Sequence, residues 1–381
     1  MNDQLHLIEN AAIVLPDRIQ HGWVAVVDGK IAEIGEGKAP ERGIDFAGDY
    51  LLPGLVELHT DHLEAHYVPR PKVRWNPVGA VLAYDAQIAA SGITTVFDSL
   101  RAGADVDGGG LGTELMELAG AIDTVRRQGL FRAEHRTHLR CEIPAQDAVE
   151  MSTLFLERYP VDLISLMDHT PGQRQFRDID KYFIYYSGKS GKPDAEIHAL
   201  IAEKQRVNGA RSDANRPALV ELARARGIPL ASHDDTTLDE VAQSVAEGVA
   251  LAEFPTTLES ARECHARGIT VMMGAPNLMR GGSHSGNIAA KTLAREGLLD
   301  VLSSDYVPGS LLPSAFSLTE RVPTISLPQA VAMVSSTPAR ATGLTDRGEI
   351  VTGKRADLIR VKQSEETPVV RQVWCAGQRA A

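Results

Sequence analysis

This sequence has few cysteines and no long hydrophobic run, and both absences narrow the class of protein. Its three cysteines are Cys141, Cys264 and Cys375, and none stands in a CxxC pair, so we expect neither a disulfide framework nor a zinc site built from thiolates. No apolar run reaches the roughly 20 residues that span a bilayer. Residues 1–6 lack the basic and apolar regions of a signal peptide, so the sequence predicts a cytoplasmic protein without a membrane partner.

Basic residues are also in the minority. The 381 residues include 39 Lys and Arg against 50 Asp and Glu, a formal net charge of −11. This balance argues against nonspecific binding to nucleic acid or to an anionic membrane, because both would repel an acidic surface. An anionic substrate would need a locally basic pocket. With 43% hydrophobic and 23% charged residues, the composition is that of an ordinary globular protein.

Both ends of the chain contain short β-rich runs. Near the amino terminus several such runs alternate with turns, and Asp28-Gly29 between two of them is a hairpin signal. Comparable runs recur near the carboxyl terminus. We therefore predict a small β-sandwich-like domain assembled from residues 1–50 together with 346–381.

The middle of the chain, residues 51–345, alternates strand-like runs with helical patterns. This alternation favours a parallel α/β fold, and eight such runs fit a (β/α)8 TIM barrel. Gly92, Gly227 and Gly268 each stand between a helical pattern and a strand, where a left-handed residue commonly ends a helix. A doubly wound open sheet is the alternative, but no G-x-G-x-x-G follows an early strand. The predicted strands are 54–59, 94–98, 138–143, 162–168, 229–233, 250–254, 270–274 and 300–304.

Histidine and carboxylate side chains stand at the ends of these strands. His59 and Asp61 project from one face because the side-chain period of a strand is two. The carboxyl ends of barrel strands share one rim, where mixed nitrogen and oxygen ligands suit zinc, manganese, nickel or iron better than calcium. A divalent metal held there would activate water for hydrolysis, with Asp305 as general base. The strand ends carry, in order, His59, Asp61, Asp98, Glu142, Asp168, His169, His233, Asp234, Asp235, Glu253 and Asp305.

Some of these groups have an equally simple structural interpretation. Asp98 and Glu253 fit helix caps or loop carboxylates as well as they fit a site. We favour His169 and His233 as metal ligands over their aspartate neighbours, which can cap the following helices. For His62 and His66, the sequence does not decide between a role in the site and a structural role. The other histidines are expected to be structural or on the surface, namely His6, His21, His135, His198 and His265.

Two sets of motifs resemble a known family. Residues 52–61 resemble the first-strand signature of the amidohydrolase superfamily, usually written H-x-H, and residues 336–359 resemble its closing segment. More specific are the H-x-D form in His59-Thr-Asp-His-Leu-Glu64, His138-Leu-Arg-Cys-Glu142 and Gly281-Gly-Ser-His-Ser-Gly286. Together these motifs are similar to those of the PhnM family of phosphonate metabolism, the α-D-ribose 1-methylphosphonate 5-triphosphate diphosphatases.

The resemblance implies a metal-dependent hydrolase that releases diphosphate from the 5-triphosphate of that sugar. It maps His59, Asp61, His169, His233 and Asp305 onto metal ligands and makes Glu142 a candidate bridge between two ions. An aspartate, Asp61, stands where the signature usually has its second histidine, so the resemblance leaves open whether one or two ions bind. Zinc is the first expectation, with manganese, nickel and iron as alternatives.

A triphosphate substrate requires basic groups near the metal. Arg70 and Lys72 follow the first strand in a proline-stiffened loop, and Arg140 shares a strand face with Glu142. Glycine-containing loops hold further candidates, because backbone N–H groups there can approach phosphate oxygens. We expect His284 to assist the leaving oxygen. The remaining predicted substrate contacts are Lys189, Arg280, Gly282 and Ser283.

Two other functions compete with this interpretation. A deaminase or cyclic amidase of the same superfamily would use the same metal site on a C–N bond, but an uncharged cyclic amide does not call for these basic loops. A catalytically dead scaffold would be expected to have lost ligands, yet all six candidates are present. For this architecture we expect a homodimer.

Overall fold

The structure is a computed structural model that describes residues 4–103, 114–176, 179–190, 193–283 and 285–381. For residues 176, 181, 185 and 188–190 it describes the backbone alone. Within these ranges, no helix combines the length and the apolar character that crossing a bilayer requires.

Both termini build one mixed sheet, as predicted. Its core holds Ile8, Val24, Phe46 and Trp374, with the Phe46 and Trp374 rings stacked at 6.0 Å. The domain boundaries at residues 50 and 346 stay a prediction. The strands are β1 Leu7–Val14, β2 Ile19–Val27, β3 Lys30–Glu36, β4 Ile44–Asp45, β5 Tyr50–Pro53, β14 Leu358–Gln363, β15 Pro368–Cys375 and β16 Gln378–Arg379. The sheet order is β16-β15-β14-β5-β1-β2-β3, and β4 pairs with β1.

The second sheet contains eight parallel strands in chain order, so the prediction of a TIM barrel is confirmed. Each strand lies within about two residues of its predicted place, except that β7 ends later and β8 starts earlier than predicted. The agreement arises because buried apolar runs marked the strands well. The strands are β6 Leu55–Thr60, β7 Ile93–Ala102, β8 Glu134–Glu142, β9 Leu163–Met167, β10 Leu230–His233, β11 Leu251–Glu253, β12 Thr270–Gly274 and β13 Val301–Ser303.

The first and last strands meet where the barrel closes. The backbone N–H of Asp305 donates to the carbonyl of His59 at 3.0 Å. The buried Glu57 carboxylate accepts the N–H of His59 at 2.7 Å and that of Ser304 at 2.6 Å. These contacts join β6 to the end of β13, and they place His59 beside Asp305 although 246 positions separate them.

Helices cover the outside of the barrel. Gly92, Gly227 and Gly268 adopt positive φ between a helix and the next strand, as predicted. Apolar residues of strands and helices form the main core between the two layers. The helices are α1 Leu63–Tyr67, α2 Pro77–Ala90, α3 Leu115–Arg127, α4 Ala148–Arg158, α5 Ile179–Ser190, α6 Asp194–Arg224, α7 Leu238–Glu247, α8 Leu258–Ala266, α9 Ala275–Arg280, α10 Ala290–Arg295, α11 Leu311–Arg321, α12 Leu327–Ala332 and α13 Ser336–Ala341.

One prediction was wrong about local structure. The segment that contains Lys189 was expected to be a glycine-containing loop, but it belongs to α5. Tyr182 of α5 packs against Ile197 and Ile201 of α6, so tertiary contact outweighs the low helix propensity of glycine.

Candidate active site

A cavity of about 550 Å³ opens at the carboxyl ends of the barrel strands. The strand order brings side chains from β6, β8, β9, β10 and β13 to this rim, as expected for a barrel. Ten of the residues singled out in the sequence line it, namely His59, Asp61, Arg140, His169, His233, Asp234, Arg280, Gly282, Ser283 and Asp305. The strand ends therefore converge on one volume.

Two separate groups of potential metal donors lie at this end of the barrel. The first contains His169, His233 and Asp234, and the second contains His59, His138 and Glu253. Within each group, one donor atom per residue lies within 4.8 Å of the others. No other such group occurs in the described part of the chain.

In the first group, carboxylates orient both imidazoles. Nδ1 of His233 donates to Asp234 at 2.6 Å, and Nδ1 of His169 donates to Glu142 at 2.6 Å. Both rings therefore keep Nε2 free to bind a metal, an arrangement common among metal-ligating histidines. Burial by itself would lower the pKa of His233, but the Asp234 carboxylate outweighs it and raises that pKa.

The Glu142 carboxylate is occupied by protein contacts. It accepts the side chain and the backbone N–H of His169, at 2.6 Å and 3.0 Å, and the guanidinium of Arg101 at 2.9 Å. Burial opposes ionisation, but these cationic and N–H neighbours hold the pKa of Glu142 well below its usual range. Its observed contacts are those of a group that orients His169.

Asp61 and Asp305 add carboxylates to the cavity wall. Burial and the nearby Asp61 raise the pKa of Asp305 to about 7. Nη1 of Arg140 lies 3.5 Å from Asp61. Three residues that closely follow barrel strands have positive backbone φ angles. They are Asp234 at 58°, Phe254 at 58° and Asp305 at 54°. Left-handed backbone is unusual in such residues, and its clustering here is typical of functional sites.

The second group lies deeper. His59, His138 and Glu253 are 1%, 0% and 0% exposed. Oε1 of Glu253 lies 3.2 Å from Nδ1 of His59 and 3.6 Å from Nε2 of His138. From the sequence, Glu253 was undecided and His138 was not selected. The sequence signals were the shared face of His138, Arg140 and Glu142 on β8 and the place of Glu253 at a strand end. The structure pairs Glu253 with His233 on the neighbouring strand.

The basic residues fall into two sets. Arg140 has a side chain only 13% exposed and lies inside the cavity, while Arg280, at the end of α9, is exposed at its rim. Arg70 and Lys72 lie in an exposed loop and do not belong to the described cavity lining. The side chain of Lys189 and the whole of His284 lie outside the described residues.

The undecided histidines have structural contacts. Nδ1 of His62 donates to the carbonyl of Tyr306 at 3.0 Å, and Nε2 of His66 is 2.8 Å from the Gln87 amide oxygen. His135 and Asp98 form a buried ion pair at 2.9 Å, so Asp98 is neither a cap nor part of the cavity lining described.

Similar proteins share this architecture. Residues 210–380 match the amidohydrolase family model. The chain is 45% identical to the α-D-ribose 1-methylphosphonate 5-triphosphate diphosphatase of Escherichia coli strain K12, over 98% of this chain and 99% of the other. It is 23% identical to an adenine deaminase of Ligilactobacillus salivarius, over 98% of this chain and 57% of that protein.

A solved structure of a mutant N-acetyl-D-glucosamine-6-phosphate deacetylase from Mycobacterium smegmatis has the same fold. The match covers 99% of this chain and 100% of that chain, with a TM-score of 0.64 and 15% identity.

Proposed function

Because this chain belongs to the amidohydrolase family, in the branch that includes the Escherichia coli diphosphatase, we propose that it hydrolyses α-D-ribose 1-methylphosphonate 5-triphosphate. The products are α-D-ribose 1-methylphosphonate 5-phosphate and diphosphate, as in phosphonate degradation by carbon–phosphorus lyase. The observation that carries this proposal is 45% identity over nearly the whole of both chains. The resemblance inferred from the motifs is thereby confirmed.

Amidohydrolases depend on a metal, and the cavity residues fit one. His169 and His233 each have Nδ1 bonded to a carboxylate, which leaves Nε2 for a divalent ion. Asp61 and Asp305 supply oxygen ligands on the same cavity wall. Such a mixed set suits zinc, and manganese, nickel or iron are the alternatives. His59 also lines the cavity, but its Nδ1 belongs to the deeper group.

The chain's own groups have distinct roles in the reaction. When bound, the metal supplies positive charge and a water that ionises near neutral pH. Asp305 accepts the proton of the attacking water from its place on the cavity wall. Glu142 holds the His169 ring in place through Nδ1. Water attacks a phosphorus of the triphosphate, and diphosphate departs.

Basic groups at the cavity stabilise the anionic substrate. Arg140 lies beside Asp61 with little exposure, where its charge is poorly screened by solvent. Arg280, Gly282 and Ser283 form part of the rim and offer a guanidinium and backbone N–H groups to phosphate oxygens. Arg70, Lys72 and Lys189 stay predicted contacts, and His284 stays the predicted group that assists the leaving oxygen.

The test is incubation of the zinc-loaded protein with the 5-triphosphate, followed by phosphorus NMR. We expect diphosphate together with the 5-phosphate. Release of orthophosphate would place cleavage at another bond. The Asp305→Asn variant should lose on the order of 100-fold or more in turnover. Full turnover by that variant would remove the proposed base.

The alternative is hydrolysis of a C–N bond. The similarity to an adenine deaminase over 98% of this chain makes adenine the natural comparison substrate. We expect no ammonia from adenine and no ring opening of hydantoin, because neither uses the charge of Arg140 and Arg280. A homodimer in the cytoplasm is proposed as well, and light scattering on the purified protein tests the dimer.

A further inference from the structure

Gln175 lines the cavity but takes no part in holding the metal or in the attack by water. It lies in a single turn of 3₁₀ helix, Arg174–Phe176, in the connection between β9 and α5. His169 and His233 belong to the same cavity lining. The side-chain amide of Gln175 makes no hydrogen bond within the described part of the chain. Its donor and its acceptor are therefore both available to a bound molecule.

The other amides of the described lining differ from Gln175. The Asn277 side chain donates to the carbonyl of Ile288 at 3.2 Å and accepts the N–H of Ala290 at 2.9 Å, so it fixes the backbone of its own loop. Asn287 lies between α9 and α10, on the side of β12. Gln175 is the amide that the connection after β9 brings to the cavity.

Buried contacts hold the backbone beside Gln175. Nη1 of Arg174 donates to the carbonyl of His233 at 2.9 Å and to Asp235 at 2.8 Å. Arg174 and Asp235 are only 6% and 1% exposed, so solvent screens this ion pair little. Arg174 also has a φ of 48°, a left-handed conformation that a residue other than glycine keeps only where its surroundings impose it. The turn that carries Gln175 is thus fixed to the end of β10, beside His233.

The two cavity arginines come from opposite sides of the barrel. Arg140 lies on β8, and Arg280 ends α9, which follows β12. The strands run in chain order and close between β6 and β13, so β8 and β12 lie across the mouth from each other. Gln175, fixed to β10, lies on the arc between them. A molecule that is anionic at both ends and neutral in the middle matches this order of groups.

We propose that Gln175 is a specificity-determining residue that hydrogen-bonds a hydroxyl of the substrate's sugar. The substrate proposed above has a methylphosphonate at one end, a triphosphate at the other and sugar hydroxyls between them. A hydroxyl both donates and accepts, as an amide does, whereas an ionised phosphate oxygen only accepts. The inference rests on the proposed function, because the sugar is that of the proposed substrate.

The place of Gln175 beside His233 fits the bond that breaks. Hydrolysis leaves one phosphate on the sugar and releases the other two phosphorus atoms as diphosphate. The sugar is therefore separated from the reacting bond by a single phosphate and lies close to the metal ligands. His233 is one of these ligands, and its carbonyl is the group to which Arg174 anchors the turn of Gln175.

The first experiment compares ligands with and without a sugar, by titration calorimetry on the zinc-loaded full-length protein. Gln175→Leu keeps a side chain of similar size but removes both hydrogen-bonding groups. We expect it to weaken binding of the product, the 5-phosphate, by roughly 10-fold or more, because a sugar hydroxyl loses its partner. Binding of diphosphate, which has no sugar, should change by about 2-fold or less. Equal weakening of both ligands, or of neither, would overturn the proposal.

Gln173→Leu is the matched control. It makes the same substitution two positions earlier in the same connection, at a residue outside the described cavity lining. The control should keep the unmodified affinity for both ligands. A loss of product affinity as large as that of Gln175→Leu would mean that the whole connection is disturbed, and it would contradict a specific contact.

The second experiment removes the hydroxyl instead of the amide. We expect Gln175→Leu to lower kcat/KM for the 5-triphosphate by roughly 10-fold or more. For either the 2-deoxy or the 3-deoxy analogue the loss should be about 2-fold or less, because that analogue already lacks the hydroxyl that Gln175 binds. Gln175→Ala should show the same difference, and circular dichroism checks the fold of both variants. Equal losses with all three substrates would contradict the sugar contact.

The failures of this proposal and of the proposed function are distinguishable. A protein that releases diphosphate but binds the 5-phosphate equally well after Gln175→Leu contradicts only the sugar contact. A protein that releases no diphosphate, yet loses affinity for the 5-phosphate and not for diphosphate in that variant, contradicts only the function.

Discussion

The two faces of strand β8 carry buried histidines in opposite situations. His135 faces α2, and both of its ring nitrogens meet carboxylates, Asp98 at 2.9 Å and Asp85 at 3.2 Å. His138, three positions along, faces the barrel interior and has an Nε2 without a hydrogen-bond partner in the described structure. The first ring completes a structural ion network, and the second leaves one ring nitrogen without a hydrogen bond. Burial alone therefore does not distinguish the two histidines, whereas the state of each ring nitrogen does.

The largest effect is expected on the outer face. His135→Gln should lower the free energy of unfolding by about 3–5 kcal/mol, because it leaves the buried Asp85 and Asp98 without their shared cation. Urea denaturation measures this change. His265→Gln, at a side chain 43% exposed, should stay within about 0.5 kcal/mol. Equal stability of the two variants would show that the His135 network contributes little.

The same network predicts a dependence of stability on pH. Burial would lower the pKa of His135, but Asp98 and Asp85 outweigh it and raise that pKa to about 9. A pKa raised in the folded state gives stability that is complete below the unfolded value, near 6.5, and is lost as the pH rises through about 9. We expect up to about 3 kcal/mol of loss from this source. The difference between the unmodified protein and His135→Gln should shrink over that interval, and a constant difference would exclude a charged His135.

On the inner face, Arg140 tests the role of the cavity. Arg140→Gln should lower kcat/KM for the 5-triphosphate by roughly 10- to 100-fold, because a poorly exposed cation beside the cavity is lost. The same substitution at the exposed Arg226, which precedes β10, is the control and should change kcat/KM by about 2-fold or less. Equal losses would show that Arg140 acts on the substrate no more than a surface charge outside the cavity lining does.

The smallest expected effect is a change in the unfolding free energy of the metal-free protein. It compares a carboxylate of the barrel interior, Glu253, with Asp98, which is paired with His135. In chelator-treated protein, Glu253→Gln should leave the unfolding free energy unchanged or raise it by about 1 kcal/mol, because an unpaired buried charge disappears. Asp98→Asn should lower it, since Asp98 is paired with His135. A large loss in Glu253→Gln under these conditions would mean that Glu253 already has a partner in the metal-free protein.

Much of the architecture was predictable from local patterns. Buried apolar runs identified all eight barrel strands, and glycines such as Gly227 and Gly268 marked the helix ends with positive φ. The convergence of His59, Asp61, His169, His233 and Asp305 followed from one rule, that parallel strands in a barrel share a carboxyl-terminal rim.

Other features depended on contacts that no local pattern contains. The helix over Ile179–Ser190 replaced a predicted loop because Tyr182 packs on α6. Glu142 was predicted as a bridging ligand, but whether its carboxylate is free depends on Arg101, a residue of the neighbouring strand. That role stays a prediction, and the observed contacts favour orientation of His169.

The alternation of apolar runs with helical patterns, by itself, determined that this chain forms a barrel and which polar residues reach its rim, because hydrophobic burial acts through periodicities that are local in sequence. Only the tertiary structure decided which nitrogen and oxygen atoms are satisfied and which are left over. His135 and His138 are three residues apart and chemically identical, and they differ only in what distant strands and helices bring to their rings. Hydrogen bonds and ion pairs are short-range and directional, so their pairing is settled when the barrel closes.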